Sequence, residues 1–261
     1  MKIFAIGDLH LSFARPKPME IFGELWRDHP IKLAAAWDRL VGPQDLVLVA
    51  GDTSWAHSLA QAAPDLAFLA ERPGRLKLIL RGNHDSWWAS AEKVRRALPE
   101  GLAILQNDAL RWADGSKGQR GLEGVVVCGA RGWNLPGMPW TDPDRDLPIY
   151  RRELGRLELS LAAARRLASP GDTLLAMLHF PPLGPGQMQS EVLERLSAAG
   201  VDLAVYGHLH GEDHRWAPEG TFDGVQVRFV AADFVDFTPQ LVFERGRGIV
   251  PAPSAPADGP R

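Results

Sequence analysis

The sequence predicts an α/β fold with largely parallel strand pairing. Three observations carry that expectation. Short apolar runs recur along the chain with the length of buried strands. The early runs are each followed by a polar turn and then by helix-compatible sequence, the rhythm of β-α units. The polar residues that close the runs are Asp, Asn and His, which are ligand-binding types. Open α/β sheets place their sites at that carboxyl end.

Lys2 to Ile6 reads as the first strand and ends at Gly7-Asp8-Leu9-His10. Asp8 and His10 flank apolar Leu9, so on an extended backbone both point the same way. Met19 to Trp26 and Ile31 to Val41 read as helical, the second stopped by Gly42-Pro43. Leu46 to Ala50 is a second buried strand, ending in Gly51-Asp52-Thr53-Ser54. Helical sequence follows from Ala56 to Ala70, with a break or restart expected at Pro64. Leu76 to Leu80 is the third strand, and it delivers Arg81-Gly82-Asn83-His84-Asp85. Gly82 is expected to let the backbone turn sharply and approach a ligand closely. Ser90 to Leu98 is a helix with Ser90 as its N-cap.

The middle of the chain breaks this rhythm. Leu102–Leu105, Leu110–Ala113 and Gly124–Ala130 read as strands joined by tight turns, marked by Asp114-Gly115 and Lys117-Gly118, so antiparallel pairing is expected there. Residues 132–148 are rich in Pro, Gly, Trp and Asp and read as an irregular surface loop of functional type. Ile149 to Ala168 is an amphipathic helix with Leu154, Leu157, Leu161 and Ala164 on one face. Thr173 to Leu178 is a strand that ends in His179-Phe180-Pro181-Pro182. A helix from Glu191 to Ala199 closes at Gly200. Val201 to Tyr206 ends in Gly207-His208-Leu209-His210, and Val225–Val230 and Gln240–Phe243 are the closing strands. Without a fixed-period repeat or an internal linker, residues 1–245 read as one domain. Residues 246–261 are Pro, Ala and Gly rich and read as a disordered tail.

The bulk numbers narrow the function classes. A chain of 261 residues can bury a large core. A net charge of −3 argues against a general polyanion binder, although a local basic patch can still meet a phosphate. Cys128 is the only cysteine, so no intramolecular disulfide forms, and its apolar neighbours mark a buried structural thiol. No apolar stretch approaches the ~20 residues of a membrane span. The amino terminus is too short for a signal h-region. A soluble, reducing, cytoplasmic setting is the expectation.

The strand-end polar groups are Asp8, His10, Asp52, Asn83, His84, His179, His208 and His210. Five of the eight histidines stand in these motifs, leaving His29, His57 and His214 outside them. Carboxylates, an amide and imidazoles without a thiolate suit Mn²⁺, Fe or Zn²⁺, and suit oxygen-seeking Ca²⁺ less well. They are too many for one catalytic ion with an open position. Two ions roughly 3.5–4 Å apart with a bridging carboxylate would use them all. Such a pair acidifies a bridging water to hydroxide and clamps phosphate oxygens, which is phosphoryl chemistry. No P-loop lysine is present, so transfer from ATP is not indicated.

Asp8-x-His10, Gly51-Asp52, Gly82-Asn83-His84-Asp85, His179 and Gly207-His208-x-His210, in that order and each after an apolar strand, resemble the motif series of the calcineurin-like metallophosphoesterase superfamily. The tryptophan-marked motifs and the 132–148 loop look like those of a bacterial subgroup of predicted phosphohydrolases. The resemblance implies a four-layer αββα sandwich of two mixed sheets flanked by helices. It implies that Asp8, His10 and His210 hold one metal, that Asn83, His179 and His208 hold the second, and that Asp52 bridges them. It further implies that His84 sits over the phosphate and assists the leaving group, with Asp85 orienting His84. Mn²⁺ is the first expectation for the metals, with Fe, Zn²⁺ and Ni²⁺ as alternatives. Where many members carry a further Asp or Asn after the second motif, this chain has Thr53-Ser54-Trp55, which leaves that loop's substrate contacts open.

The resulting expectation is a dinuclear phosphohydrolase. It attacks a small phosphodiester, a cyclic nucleotide or similar, in line with a metal-bridging hydroxide. The alternatives are a phosphomonoesterase or protein phosphatase, a nuclease, which the acidic balance disfavours, and a non-catalytic interaction module of the same fold. Trp55, Trp87, Trp88, Trp133 and Trp140 either stack a flat leaving group or pack loop bases against the sheet. Arg81 and Arg131 either bind phosphate or pair structurally. The arginines between Arg151 and Arg166 read as a solvated helix face, and His57 is expected to stay out of the cleft.

Overall fold

The computed structural model describes residues 1–113, 116–117 and 124–252. Two sheets pack face to face. The first has the strand order β13-β12-β1-β2-β3-β4, comprising β1 (Lys2–Ile6), β2 (Leu46–Val49), β3 (Leu76–Leu80), β4 (Leu102–Leu105), β12 (Gln240–Glu244) and β13 (Gly248–Ile249). β1 to β4 pair in parallel, while β12 runs antiparallel to β1. The second sheet has the order β10-β11-β9-β8-β7-β5-β6. Its members are β5 (Leu110–Ala113), β6 (Ser116–Lys117), β7 (Val125–Ala130), β8 (Thr173–Leu178), β9 (Leu203–Tyr206), β10 (Gly220–Phe222) and β11 (Val225–Phe229).

The period of two along each strand sorts side chains into layers. Ile3, Ala5, Leu46, Leu48, Leu76 and Leu78 face Val125, Val127, Leu175, Met177, Leu203 and Val205 between the sheets. The alternate residues Phe4, Ile6, Val47, Val49 and Ile79 pack outward against α1 (His29–Leu40), α2 (Leu59–Glu71) and α3 (Ala91–Ala97). On the other side Val126, Cys128, Ala176, Leu178 and Ala204 meet α4 (Pro143–Leu167) and α5 (Glu191–Ala198). This is the expected four-layer sandwich of two mixed sheets flanked by helices. Leu154, Leu157, Leu161 and Ala164 of α4 are buried, and so is Cys128.

Several local expectations are corrected. Met19–Phe22 and Glu24–Trp26 form two 3-10 turns rather than a helix, because Gly23 between them takes φ 130°. α2 runs through Pro64 unbroken. Pro64 lies on the exposed face, so the Ala60 carbonyl it leaves unpaired is open to water. β4 is parallel to β3, reached through α3, and only β5 with β7 and β6 is antiparallel in the middle section. The short connection after β4 therefore changes sheets instead of closing a hairpin. The irregular stretch after β7 ends at Asp142, whose carboxylate accepts from the Asp144 and Arg145 amides and caps α4, with Pro143 next to it. Gly248–Ile249 pair with β12 and Val250 is buried, so these residues are part of the fold rather than of a tail. Asp114-Gly115, Gly118 and residues 253–261 lie outside the described residues.

Candidate metal centre

The carboxyl ends of β1, β2, β3, β8 and β9 converge on one cleft. Backbone pairing continues past the strands and locks their loops together. The Asp8 amide donates to Gly51 O at 2.9 Å, and the His10 amide to Asp52 O at 3.0 Å. The Gly207 amide donates to His179 O at 3.1 Å. Gly7 ties the two sheets together, donating to Val230 O and accepting from the Ala232 amide. Asp8, His10, Asp52 and His208 all adopt positive φ, between 47° and 78°. Four non-glycine residues in this region at one place mark a site whose surroundings enforce an unfavourable backbone.

The glycines before Asp52, Asn83 and His208 are a matter of space. A Cβ on Gly82 would lie 2.0 Å from Asp52 Oδ1, and one on Gly207 would lie 2.0 Å from Asp8 Oδ2. Gly82 does not have the positive φ expected of a sharp turn. It is needed because a carboxylate sits where its side chain would be. A Cβ on Gly51, which does take φ 96°, would meet the His179 ring at 2.4 Å.

All seven expected donors come together. His210 Nε2 lies 3.3 Å from His10 Nε2 and 3.5 Å from Asp8 Oδ1. Asn83 Oδ1 stands 2.7 Å from His179 Nε2 and 3.0 Å from His208 Nδ1. Asp52 Oδ2 lies between the two groups, 3.9 Å from His10 Nε2 and 3.4 Å from His179 Nε2. Donor atoms of Asp8, His10 and His210, one from each, lie within 4.8 Å of one another, as do those of Asp8, Asp52 and His179. These spacings suit donors that share cations at roughly 2.0–2.2 Å. Asp52 Oδ1 accepts from the His84 amide, while buried Oδ2 has no hydrogen-bond partner. A buried carboxylate oxygen left in this state among imidazoles fits a cation ligand.

The electrostatics point the same way. Burial alone would depress His179, but the Asp52 and Asp8 carboxylates outweigh it and lift the imidazole to about 9. Burial likewise opposes protonation of His210, yet Asp233 and Asp8 raise it to about 10. Asp52 resists the upward push of burial and stays well below the ordinary carboxylate range because His179 and His10 face it. His10 and His208 are pushed down by burial and by neighbouring imidazoles. The cluster thus holds positive charge where its carboxylates need it.

Sequence reasoning missed the residues that aim these donors. Asp233, 5% exposed, accepts from His210 Nδ1 at 3.0 Å and lies 3.1 Å from His214 Nε2. That leaves His210 Nε2 turned into the cleft, the usual carboxylate support of a ligating imidazole. Asp233 follows β11 without a flanking glycine motif, so nothing in the local sequence marked it. His179 Nδ1 is held at 3.0 Å from the Ala50 carbonyl, which turns its Nε2 to the donors. Lys17 was also missed; its Nζ sits 3.0 Å from the Trp55 ring centroid, and its charge helps lower His84.

Asp85 is not where the motif placed it. It is fully buried and accepts four hydrogen bonds, from the Thr53, Ser54 and Gly82 amides and from Trp87 Nε1. The His84 imidazole is not among those donors. Asp85 therefore clamps the loops after β2 and β3, and burial with the nearby Asp52 charge pushes it up to about 6. His84 packs beside Trp55, ring centroids 4.4 Å apart, and Trp55 stacks on His10 at 4.8 Å. Trp87 and Trp88 are buried packing residues, whereas Trp133 and Trp140 line a cavity beside His208. Arg131 pairs with buried Glu153 at 3.0 Å, a structural role, and His57 is exposed.

Comparison with known proteins agrees with this geometry. The calcineurin-like phosphoesterase family model matches residues 1–212. The gene 66 protein of Mycobacterium phage L5 is 38% identical over 79 residues, 30% of this chain and 37% of that protein. The gene 66 protein of Mycobacterium phage D29 is 41% identical over 83 residues, 32% of this chain and 40% of that protein. The chain thus spans about two fifths of these relatives. Among solved structures, a protein of unknown function from Aquifex aeolicus is similar with TM-score 0.47 and 16% identity, covering 92% of this chain and 94% of that one. A protein from Thermus thermophilus is similar with TM-score 0.48 and 14% identity, covering 86% of each chain. Among the described residues, no helix is long and apolar enough to cross a membrane.

Proposed function

Because this chain belongs to the calcineurin-like phosphoesterase family, we propose that it is a two-metal phosphodiesterase acting on a small diester such as a cyclic nucleotide. The observation that carries the reading is the convergence of the seven donors on one cleft, with buried Asp52 Oδ2 between His10 and His179 and exposed His84 at the rim. In this reading Asp8, His10 and His210 would hold one cation, Asn83, His179 and His208 the other, and Asp52 both, with Mn²⁺ the first choice. Bound cations supply an acidified water as nucleophile and offset charge on the phosphoryl oxygens.

The chain's own residues then do the rest. His84 is lowered chiefly by burial, with Asp52 pulling the other way. An anionic ester placed beside it favours its charged form, the form that can give a proton to the departing alkoxide oxygen. Lys17 adds positive charge on the same side. Asp85 keeps the His84 loop in register with the Asp52 loop, a positioning role. The cavity beside His208 leaves room for an organic group carried on the phosphate. A single buried thiol accords with a cytoplasmic setting.

Hydrolysis of bis-p-nitrophenyl phosphate and p-nitrophenyl phosphate under Mn²⁺ tests the class. The diester is expected to be preferred; a clear monoester preference moves the reading to a phosphomonoesterase, and no turnover on either refutes it. Metal analysis separates the roles. Asp52→Asn should lower occupancy of both cations, and His84→Ala should keep metal and lose turnover.

A further inference from the structure

Next to the metal centre lies a cavity of about 280 Å³ whose walls are mostly apolar and aromatic, among them Trp133, Met138, Trp140, Phe180, Leu183 and Trp216. It shares a wall with the metal centre. His208, one of the seven donors, lines it, and Phe180 packs on the His208 ring with centroids 3.8 Å apart. A ligand that reaches the cations therefore has this cavity as its neighbour.

The walls are set in place before any ligand arrives. Trp133 Nε1 donates to the buried Asp146 carboxylate at 3.1 Å, and Asp146 also accepts from Arg145 and the Asp142 amide. The Trp133 ring packs against Phe180 at 5.0 Å. Gly184 makes room for Met138, since a Cβ there would meet Met138 Sδ at 2.5 Å. Trp140 and Trp216, by contrast, are 55% and 46% exposed, large aromatic surfaces on the cavity rim, and the Arg215 guanidinium lies 5.0 Å from the Trp216 ring centroid.

The chemistry of the lining selects the occupant. Among the described residues no Lys or Arg lines the cavity, and Asp213 does, so a second phosphate is disfavoured. The volume lies just below the roughly 300 Å³ at which ligand sites usually begin, enough for one flat ring rather than a whole large ligand. Indole faces stack flat rings, and Asn134 and Asp213 offer hydrogen-bonding groups to a ring's polar edge.

We propose that this cavity binds the flat, uncharged heteroaromatic ring of a phosphoester whose phosphate lies at the metal centre, with Trp140 and Trp216 as the residues that select it. The proposal rests on the phosphoesterase reading for the phosphate end alone; the ring site stands on the cavity itself.

The test compares ligands that differ only in the ring. Metal-loaded protein is titrated with adenosine 5′-monophosphate, ribose 5-phosphate and phosphocholine, with calorimetry and quenching of tryptophan fluorescence as readouts. Adenosine 5′-monophosphate should bind about tenfold tighter than ribose 5-phosphate, a difference of about 1.4 kcal/mol. In Trp140→Ala and Trp216→Ala that ratio should fall towards one, while ribose 5-phosphate binding changes less than about twofold. Equal binding of the two sugars' phosphates in the unaltered protein, or an undiminished ratio in both variants, overturns the proposal. Phosphocholine binding tighter than ribose 5-phosphate also overturns it, because the indoles and Asp213 would then be a site for an organic cation. Ring preference without turnover on any ester refutes the hydrolase reading and leaves the ring site standing. Diester turnover without ring preference does the reverse.

Discussion

Gly82→Ala puts one methyl group into the centre of the site. Its carbon would lie 2.0 Å from Asp52 Oδ1 and 2.3 Å from the Asp52 amide nitrogen, against 3.4 Å or more for an ordinary contact. Side chain and backbone of Asp52 must both retreat by over an ångström. Neither can do so cheaply, because the His10 amide holds the Asp52 carbonyl and the His84 amide holds its Oδ1. Overpacking of a tight interior costs about 1–3 kcal/mol, and loss of a hydrogen bond to a charged group roughly 1.5–3 kcal/mol. The metal-free protein should therefore lose about 3–5 kcal/mol in urea denaturation, with an unchanged denaturant slope. Metal content after loading should fall as well, since the displaced Asp52 is the residue proposed to hold both cations. Gly155→Ala in α4 is the matched control. It has open space around its position and should gain up to ~1 kcal/mol from helix propensity. If Gly82→Ala denatures within ~0.5 kcal/mol of the parent and loads metal fully, the steric account of this glycine is wrong.

Three further outcomes follow from other parts of the molecule. Asp233→Asn should weaken metal affinity by about 10–100-fold by loosening His210, and a metal titration that shows no change would remove Asp233 from the site. Asp172→Asn should cost roughly 3 kcal/mol, because Arg111 on β5 is buried and holds Asp172 through two bonds of 2.7 and 2.8 Å. Burial opposes ionisation of Asp172, but Arg111 and the Ser169 and Gly124 amides keep it below its ordinary value. That lowered folded pKa contributes stability above the ordinary carboxylate value of about 4, and the contribution is lost as pH falls through the folded value. The parent should then lose more stability than Asp172→Asn on acidification below about pH 4, and parallel acid profiles would contradict the pairing. Burial pushes the Cys128 thiol up to about 12, so a thiol reagent should label it only after unfolding; rapid labelling in native buffer would place it elsewhere than the α4 side of the second sheet.

The candidate site was legible where chemistry and strand signal coincide in a few residues. Asp8 with His10, Asp52, Asn83, His179, and His208 with His210 each follow an apolar run that period-two alternation identifies as strand, and parallel pairing carries such ends to one side. What failed was information that lives between distant segments. β4 looked like half of a hairpin, but its register is set by β3 through the α3 crossover, and the turn after it changes sheets. Pro64 looked like a helix break, but only its solvent-side position decides that, and exposure follows from packing. Asp85 looked like the support of its neighbour His84, because adjacency in sequence suggests contact. In the fold its Oδ1 turns back to the Thr53 and Ser54 amides, more than thirty residues earlier. Asp233 carried no signal, since its partner His210 is defined only once β9 and β11 lie side by side.

The strained backbone and the buried carboxylates are one device. Asp8 and Asp52 each place the chain at positive φ, which costs of order 1–3 kcal/mol per residue. In that conformation each carboxylate reaches across to the backbone of a later loop: Asp8 accepts the His208 amide at 3.0 Å, and Asp52 the His84 amide at 2.8 Å. Gly207, directly before the first of those amides, and Gly82, two residues before the second, allow the approach. Two later loops, those after β3 and β9, are thereby fixed to the ends of β2 and β1 by oxygen atoms of the same residues that face the cleft. Motif order along the sequence follows from this construction, because the early Asp residues are anchors and the later Gly-His and Gly-Asn-His segments are what they hold. A change that keeps every donor type but moves either glycine by one position should abolish the site as surely as deleting a donor.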